Sequence, residues 1–214
     1  MTRVAIVTGA AQGIGEAVAL RLARDGLNVA VSDLPAKREQ LATVVKRIEE
    51  IGQSAITVEC DVSDEKDVIA MVEKAVETFG GLDVMVANAG IGMFKPVFDT
   101  SVDDLDTILS INVRGVMLCY KYAAMQMVKQ GRGGRIIALA NMAAYSASKF
   151  AVRGLTQSCA AEWRKHNITI TNIPLDTPDA EPIVIADFVS YLIRPESHHI
   201  TGQSVNIDGG LNYD

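Results

Sequence analysis

Tyr145 and Lys149 stand at i, i+4 spacing, so on a helix they share one face. An ammonium beside a phenol favours the phenolate and lowers the tyrosine pKa. A tyrosine tuned in this way gives a proton to a ketone oxygen as hydride reaches the carbon, or takes one from an alcohol. Alone, such a pair is an ordinary surface contact, and its meaning depends on where the fold puts it. The second group is the run from Arg3 to Gly15, RVAIVTGAAQGIG. Val4, Ile6 and Val7 have the β-branched character of a buried parallel strand, which stops at Thr8-Gly9 before an apolar-periodic helix from about Gly13. A glycine turn there leaves backbone N–H groups facing outward at the positive end of a helix, which suits a phosphate. Gly9 permits the tight turn, Gly13 lets the backbone approach a diphosphate, and Gly15 lets helix and strand pack closely. A purely structural strand-to-helix joint is the competing reading. Asp33, 18 residues after Gly15, can accept hydrogen bonds from both hydroxyls of an adenosine ribose and would repel a 2′-phosphate. A helix N-cap or solvated turn is its plainer alternative. Lys37 and Arg38 follow closely and leave room for NADP, although NAD is favoured.

These groups can cooperate only if the intervening elements bring them to one edge. Strand-like and helix-like segments alternate, which predicts an α/β fold: a doubly wound parallel sheet (Rossmann fold) in a single domain over residues 1–214. Strands are expected at Val4 to Val7, Asn28 to Ser32, Ser54 to Glu59, Leu82 to Ala87, Gly134 to Leu139, Ile168 to Asn172 and Ser204 to Ile207. Helices are expected from Gly13 to about Arg24, Ala36 to about Ile51, after Ser63, across Ser101 to about Gln130 with a junction near Asn112, from Ala144 to about His166, and near Ile185 to Ile193. The carboxyl edge of such a sheet is where ligands bind. A length of 214 residues supports one full core. Charged residues are 21% and hydrophobic ones 49%, and the net charge of −6 argues against nucleic acid or an anionic membrane as partner. No charged-then-apolar leader precedes Val4 and no apolar run reaches bilayer length, so a cytoplasmic protein is expected. Cys60, Cys119 and Cys159 read as free thiols, and His198-His199 as a turn, so no metal site is expected.

With these residues in view, the chain resembles the short-chain dehydrogenases/reductases. Thr8-Gly9-Ala10-Ala11-Gln12-Gly13-Ile14-Gly15 matches their TGxxxGxG loop, and Cys60-Asp61-Val62 looks like their adenine-side segment. Asn88-Ala89-Gly90 matches the NAG motif, Ile111-Asn112-Val113 carries the helix asparagine, and Tyr145-Ser146-Ala147-Ser148-Lys149 matches YxxxK. Thr201-Gly202-Gln203 with Asp208-Gly209-Gly210 resembles the closing segment. The resemblance implies that Gly9, Gln12, Gly13, Ile14, Gly15, Asp33, Leu34, Asp61, Val62, Asn88, Ala89, Gly90, Tyr145, Lys149 and Thr177 hold the dinucleotide. It makes Tyr145 the acid/base, gives Lys149 a second contact to the nicotinamide ribose, and gives Asn112 a proton-relay role through water. It also implies a homotetramer or homodimer built on the long helices at about 112–130 and 144–166. SDLP at 32–35 and YSASKFAVRGLTQ at 145–157 are similar to acetoin (diacetyl) reductases and 2,3-butanediol dehydrogenases, which implies a small ketone or secondary alcohol as substrate.

The pattern breaks in two places. Where the family has a serine ending the fifth strand, this chain has Asn141, and only Met142 to Ala144 separate it from Tyr145. The Asn141 amide is a candidate donor to the carbonyl oxygen in the serine's stead. After the sixth strand, Asn172-Ile173-Pro174-Leu175-Asp176-Thr177-Pro178 leads almost directly to the next helix, so the lid expected around 174–184 is absent. Pro174 and Thr177 read as remnants of the family's PG motif and its threonine. Two losses that spare every strand fit either a shortened paralogue or a sequence lacking its mobile loops. They also keep a second reading open: a dinucleotide-binding protein with impaired or no catalysis.

Overall fold

A computed structural model of the chain describes residues 2–92, 95–141, 146–175 and 181–207. Seven parallel strands form one sheet in the order β3-β2-β1-β4-β5-β6-β7. They are β1 Val4–Thr8, β2 Asn28–Asp33, β3 Ala55–Glu59, β4 Val84–Ala87, β5 Gly134–Asn141, β6 Ile168–Leu175 and β7 Gln203–Ser204. The helices are α1 Gly13–Arg24, α2 Arg38–Glu50, α3 Glu65–Phe79, α4 Val102–Leu109, α5 Val116–Gln130, α6 Ser146–Trp163 and α7 Pro182–Leu192.

Side chains alternate across each strand, and here the alternation divides the core in two. Ala5 and Val7, Val29 and Val31, Val84 and Val86 point to one face, where Val18 and Leu22 of α1, Leu41 and Ile48 of α2, and Ile185 and Val189 of α7 cover them. Ile6, Ala30, Met85, Ile136 and Ile170 point to the other, against Val68 and Met71 of α3, Leu118 and Met127 of α5, and Val152 of α6. Strands buried on both faces explain why β1 and β4 read as near-continuous apolar runs. The buried Tyr120 hydroxyl shares a 3.0 Å hydrogen bond with the Thr156 hydroxyl, which fixes α6 against α5 inside the apolar layer. Burial raises the Tyr120 pKa, so this phenol stays neutral.

Several boundaries differ from the sequence expectation for physical reasons. β6 runs on to Leu175, with Pro174 paired to Ala140 of β5. Proline normally argues against a strand interior, but β7 pairs β6 only at Thr171 and Asn172, so Pro174 lies where β6 has become an edge. β7 itself is shorter than expected. α3 is capped by Asp64, which accepts from the Lys66 N–H, and not by Ser63. Ser63 is drawn away by Asp61, to which both its N–H and its hydroxyl donate. The expected junction near Asn112 is a π-helical turn, Ser110–Gly115, between α4 and α5.

Candidate dinucleotide site

Strand order reverses between β1 and β4, and the carboxyl ends of these two strands form a cleft of about 380 Å³. The end of β1 is tied to the end of β4. Asn88 N–H and Ala89 N–H donate to Thr8 Oγ1 at 3.1 and 3.0 Å, and Asn88 Nδ2 donates to the carbonyls of Thr8 and Gly9 at 2.8 and 3.1 Å. Thr8 is 1% exposed, so this stitching is internal. It leaves Gly9 no room for a side chain, because a Cβ there would lie 2.8 Å from Asn88 Nδ2. At Gly15 a Cβ would collide with the Gly9 carbonyl oxygen and lie 2.5 Å from Asn88 Nδ2, so helix, loop and neighbouring strand meet at a point only glycine fills.

Gly13 differs. Its φ of +60° favours glycine, and nothing lies within 4 Å of where its Cβ would stand, so the backbone here faces open space in the cleft. The N-cap of α1, Gln12, makes no side-chain capping bond. A helix end with outward N–H groups, no side-chain cap and an open approach fits a diphosphate. Gly9, Gln12, Gly13, Ile14 and Gly15 all line the cleft.

The adenosine end is built by β2 and the loop after β3. Asp33 Oδ2 accepts from Ala11 N–H at 3.1 Å and Oδ1 from Leu34 N–H at 2.9 Å. These donors fix the carboxylate at the mouth of the cleft, where each oxygen retains a lone pair for a ribose hydroxyl. Lys37 Nζ donates to Gln12 Oε1 at 3.2 Å. Asp61 Oδ1 is held by Ser63 while its own N–H donates to Asp67 Oδ2 at 2.9 Å. Leu34, Asp61, Val62, Asn88, Ala89 and Gly90 complete the sequence-expected lining. Ile91, Ile111, Ser32, Lys37 and Cys60 line the cleft as well and were not among the expected site residues. Burial, with the Asp67 carboxylate second, pushes the Cys60 thiol up to about 12, so it lines the cleft as an inert thiol.

Asn112 lies in the π-helical turn. Its Oδ1 accepts from Ile91 N–H at 3.0 Å and its Nδ2 donates to the Ile91 carbonyl at 2.9 Å. Both ends of the amide are therefore engaged with the backbone of one residue, through its N–H and its carbonyl, and the side chain positions the segment after β4. Gly115, in the same turn, gives Val62 its place, since a Cβ there would lie 2.8 Å from Val62 Cγ2. Lys149 falls in the first turn of α6, and Asn141 ends β5 opposite Leu175. Tyr145 and Thr177 lie outside the described residues. Among the described residues, no group of His, Cys, Asp and Glu is arranged to hold a metal ion, and no helix is long and apolar enough to cross a membrane.

A doubly wound parallel sheet with a glycine loop and an uncapped helix end at its switch point defines a dinucleotide-binding α/β protein. Residues 3–177 match the short chain dehydrogenase family model, and the chain belongs to that family of NAD(P)-dependent oxidoreductases. It is 43% identical over 252 residues to a short-chain dehydrogenase/reductase of Armillaria gallica, covering 99% of this chain and 97% of the relative. It is 35% identical over 258 residues to an L-2,3-butanediol dehydrogenase of Corynebacterium glutamicum, with both chains covered completely. The crystal structure of an acetoin dehydrogenase from Enterobacter cloacae superposes with a TM-score of 0.90 at 33% identity, covering 98% of this chain and 96% of the other. Both sequence alignments are longer than this chain's 214 residues, so the relatives carry internal positions that it lacks.

Proposed function

We propose that the chain is an NAD-dependent oxidoreductase that moves hydride between nicotinamide and a small ketone or secondary alcohol of the acetoin, diacetyl or 2,3-butanediol kind. The observation that carries the cofactor half is the Asp33 carboxylate, held by two backbone donors at the mouth of a cleft whose other end is the uncapped α1 terminus. The substrate half rests on the likeness to the butanediol and acetoin dehydrogenases. When bound, the nicotinamide supplies or accepts the hydride. Tyr145 holds and moves the proton at the substrate oxygen. Lys149, four residues further along the sequence, favours the phenolate, and Asn112 keeps the segment after β4 in place. Asn141 stands in for the family's serine as donor to the carbonyl oxygen, residues 1–214 act as one unit with the site between 112 and 149, and the sequence lacks the lid expected around 174–184. Free thiols fit a reducing cytoplasm.

The test is NADH oxidation with diacetyl and acetoin, followed by absorbance. Tyr145→Phe is expected to abolish turnover while NADH binding persists. Asn141→Ala is expected to lower the rate about 10²–10³-fold, with Asn141→Ser retaining more. Unchanged activity in the alanine variant contradicts the Asn141 role. A second reading is favoured by the missing serine and the shortened connections: a dinucleotide-binding protein without catalysis. Saturable NADH binding with no turnover on these substrates would select it.

A further inference from the structure

The charged groups lining the cleft among the described residues are Asp33, Asp61 and Lys37, and Lys37 is bonded to a neutral amide. The next cation along the chain is Arg38, the first residue of α2. Its Nε donates to Glu59 Oε1 at 2.5 Å. Glu59 ends β3 and is the register partner of Asp33 at the end of β2. Paired residues of parallel strands project from the same face, about 4.8 Å apart. Val29, Val31 and Ala55, which precede them at alternate positions, all pack into the core layer under α1 and α2. Asp33, Glu59 and Arg38 therefore share one corner of the molecule, where the guanidinium is matched to the carboxylate one strand further out. The hydrogen bond from Arg38 holds Glu59 below the usual carboxylate range.

We propose that Glu59 is a specificity-determining residue for the dinucleotide: by pairing with Arg38 it withholds a nearby guanidinium that could meet a 2′-phosphate, so that among the described cations lining the cleft Lys37 alone stands against the exclusion of NADP by Asp33. This rests on reading the cleft as the dinucleotide site. Arginine beside the ribose accommodates a 2′-phosphate where an acidic residue selects the free hydroxyl. In this chain Glu59 stands one strand over from Asp33 and holds Arg38, and that pairing decides which of the two charges acts. Glu59 touches no cofactor in this scheme; it works through Arg38.

The test uses nucleotide fluorescence to titrate NADH and NADPH into the wild type, Glu59→Ala, Glu59→Gln, Arg38→Ala and the double variant Glu59→Ala/Arg38→Ala. The wild type is expected to prefer NADH. Glu59→Ala is expected to narrow that preference roughly fivefold, the equivalent of one exposed ion pair, with Glu59→Gln intermediate. Retained NADH affinity in these variants reports that they are folded. The double variant is expected to return to the wild-type ratio. A gain in NADPH affinity that survives removal of Arg38 would mean simple loss of negative charge, and an unchanged ratio in Glu59→Ala would mean no effect; either overturns the proposal. Wild-type protein that binds neither nucleotide overturns instead the cofactor reading beneath it.

Discussion

At the scale of single residues, the site is governed by where side chains are missing. Gly15 sits where α1, the glycine loop and Asn88 converge, and a methyl group there would overlap the Gly9 carbonyl. Gly15→Ala is expected to cost about 1–3 kcal/mol of stability by overpacking and to abolish dinucleotide binding, read by denaturant unfolding and NADH titration. The glycines and Asp33 were legible in the sequence because punctuation residues carry their meaning locally. The stitching by Thr8 and Asn88 was not, because it depends on strands 80 residues apart becoming neighbours. The same holds for Asn112. Its position was legible, but not that its amide is engaged at both ends by the Ile91 backbone.

Among the elements, α4 and the π-helical turn that follows it carry Asn112 to the edge of the cleft. α4 begins with a capping box in which Ser101 and Asp104 bond reciprocally. Asp104 also accepts from Lys95 at 2.7 Å, and these donors, Lys95 foremost, hold its carboxyl near 2. The unfolded value is near 3.9, so the folded pKa is depressed. Its stabilising contribution is complete above the unfolded value and is lost as pH falls through about 2. The stability difference between wild type and Asp104→Asn is expected to stay level above about pH 5 and to shrink towards pH 2. A difference that does not vary with pH would contradict the pairing. Element types were legible throughout, since the periodicities of helix and strand are distinct. Strand lengths were not: Ala140 and Asn141 join β5, and Pro174 and Leu175 join β6, only because each strand offers the other a partner.

For the whole molecule, alternation of strands and helices was enough to expect a doubly wound sheet, and the strand order places the glycine loop, Asp33 and the Asn88 segment at one switch point. An apolar groove crosses α4, α5 and α6, lined by Leu109, Val113, Met117, Ala151 and Leu155, and Met125 and Val128 of α5 are exposed beyond it. The homodimer or homotetramer expected from the sequence would bury these helices. Sedimentation is expected to give two or four copies, and a monomer at all concentrations would contradict this. The most direct test of the cofactor reading is a titration of the wild-type chain with NADH beside Gly15→Ala. Saturable NADH binding, tighter than NADPH and lost in the variant, is the expected result. Failure of the wild type to bind NADH would contradict it.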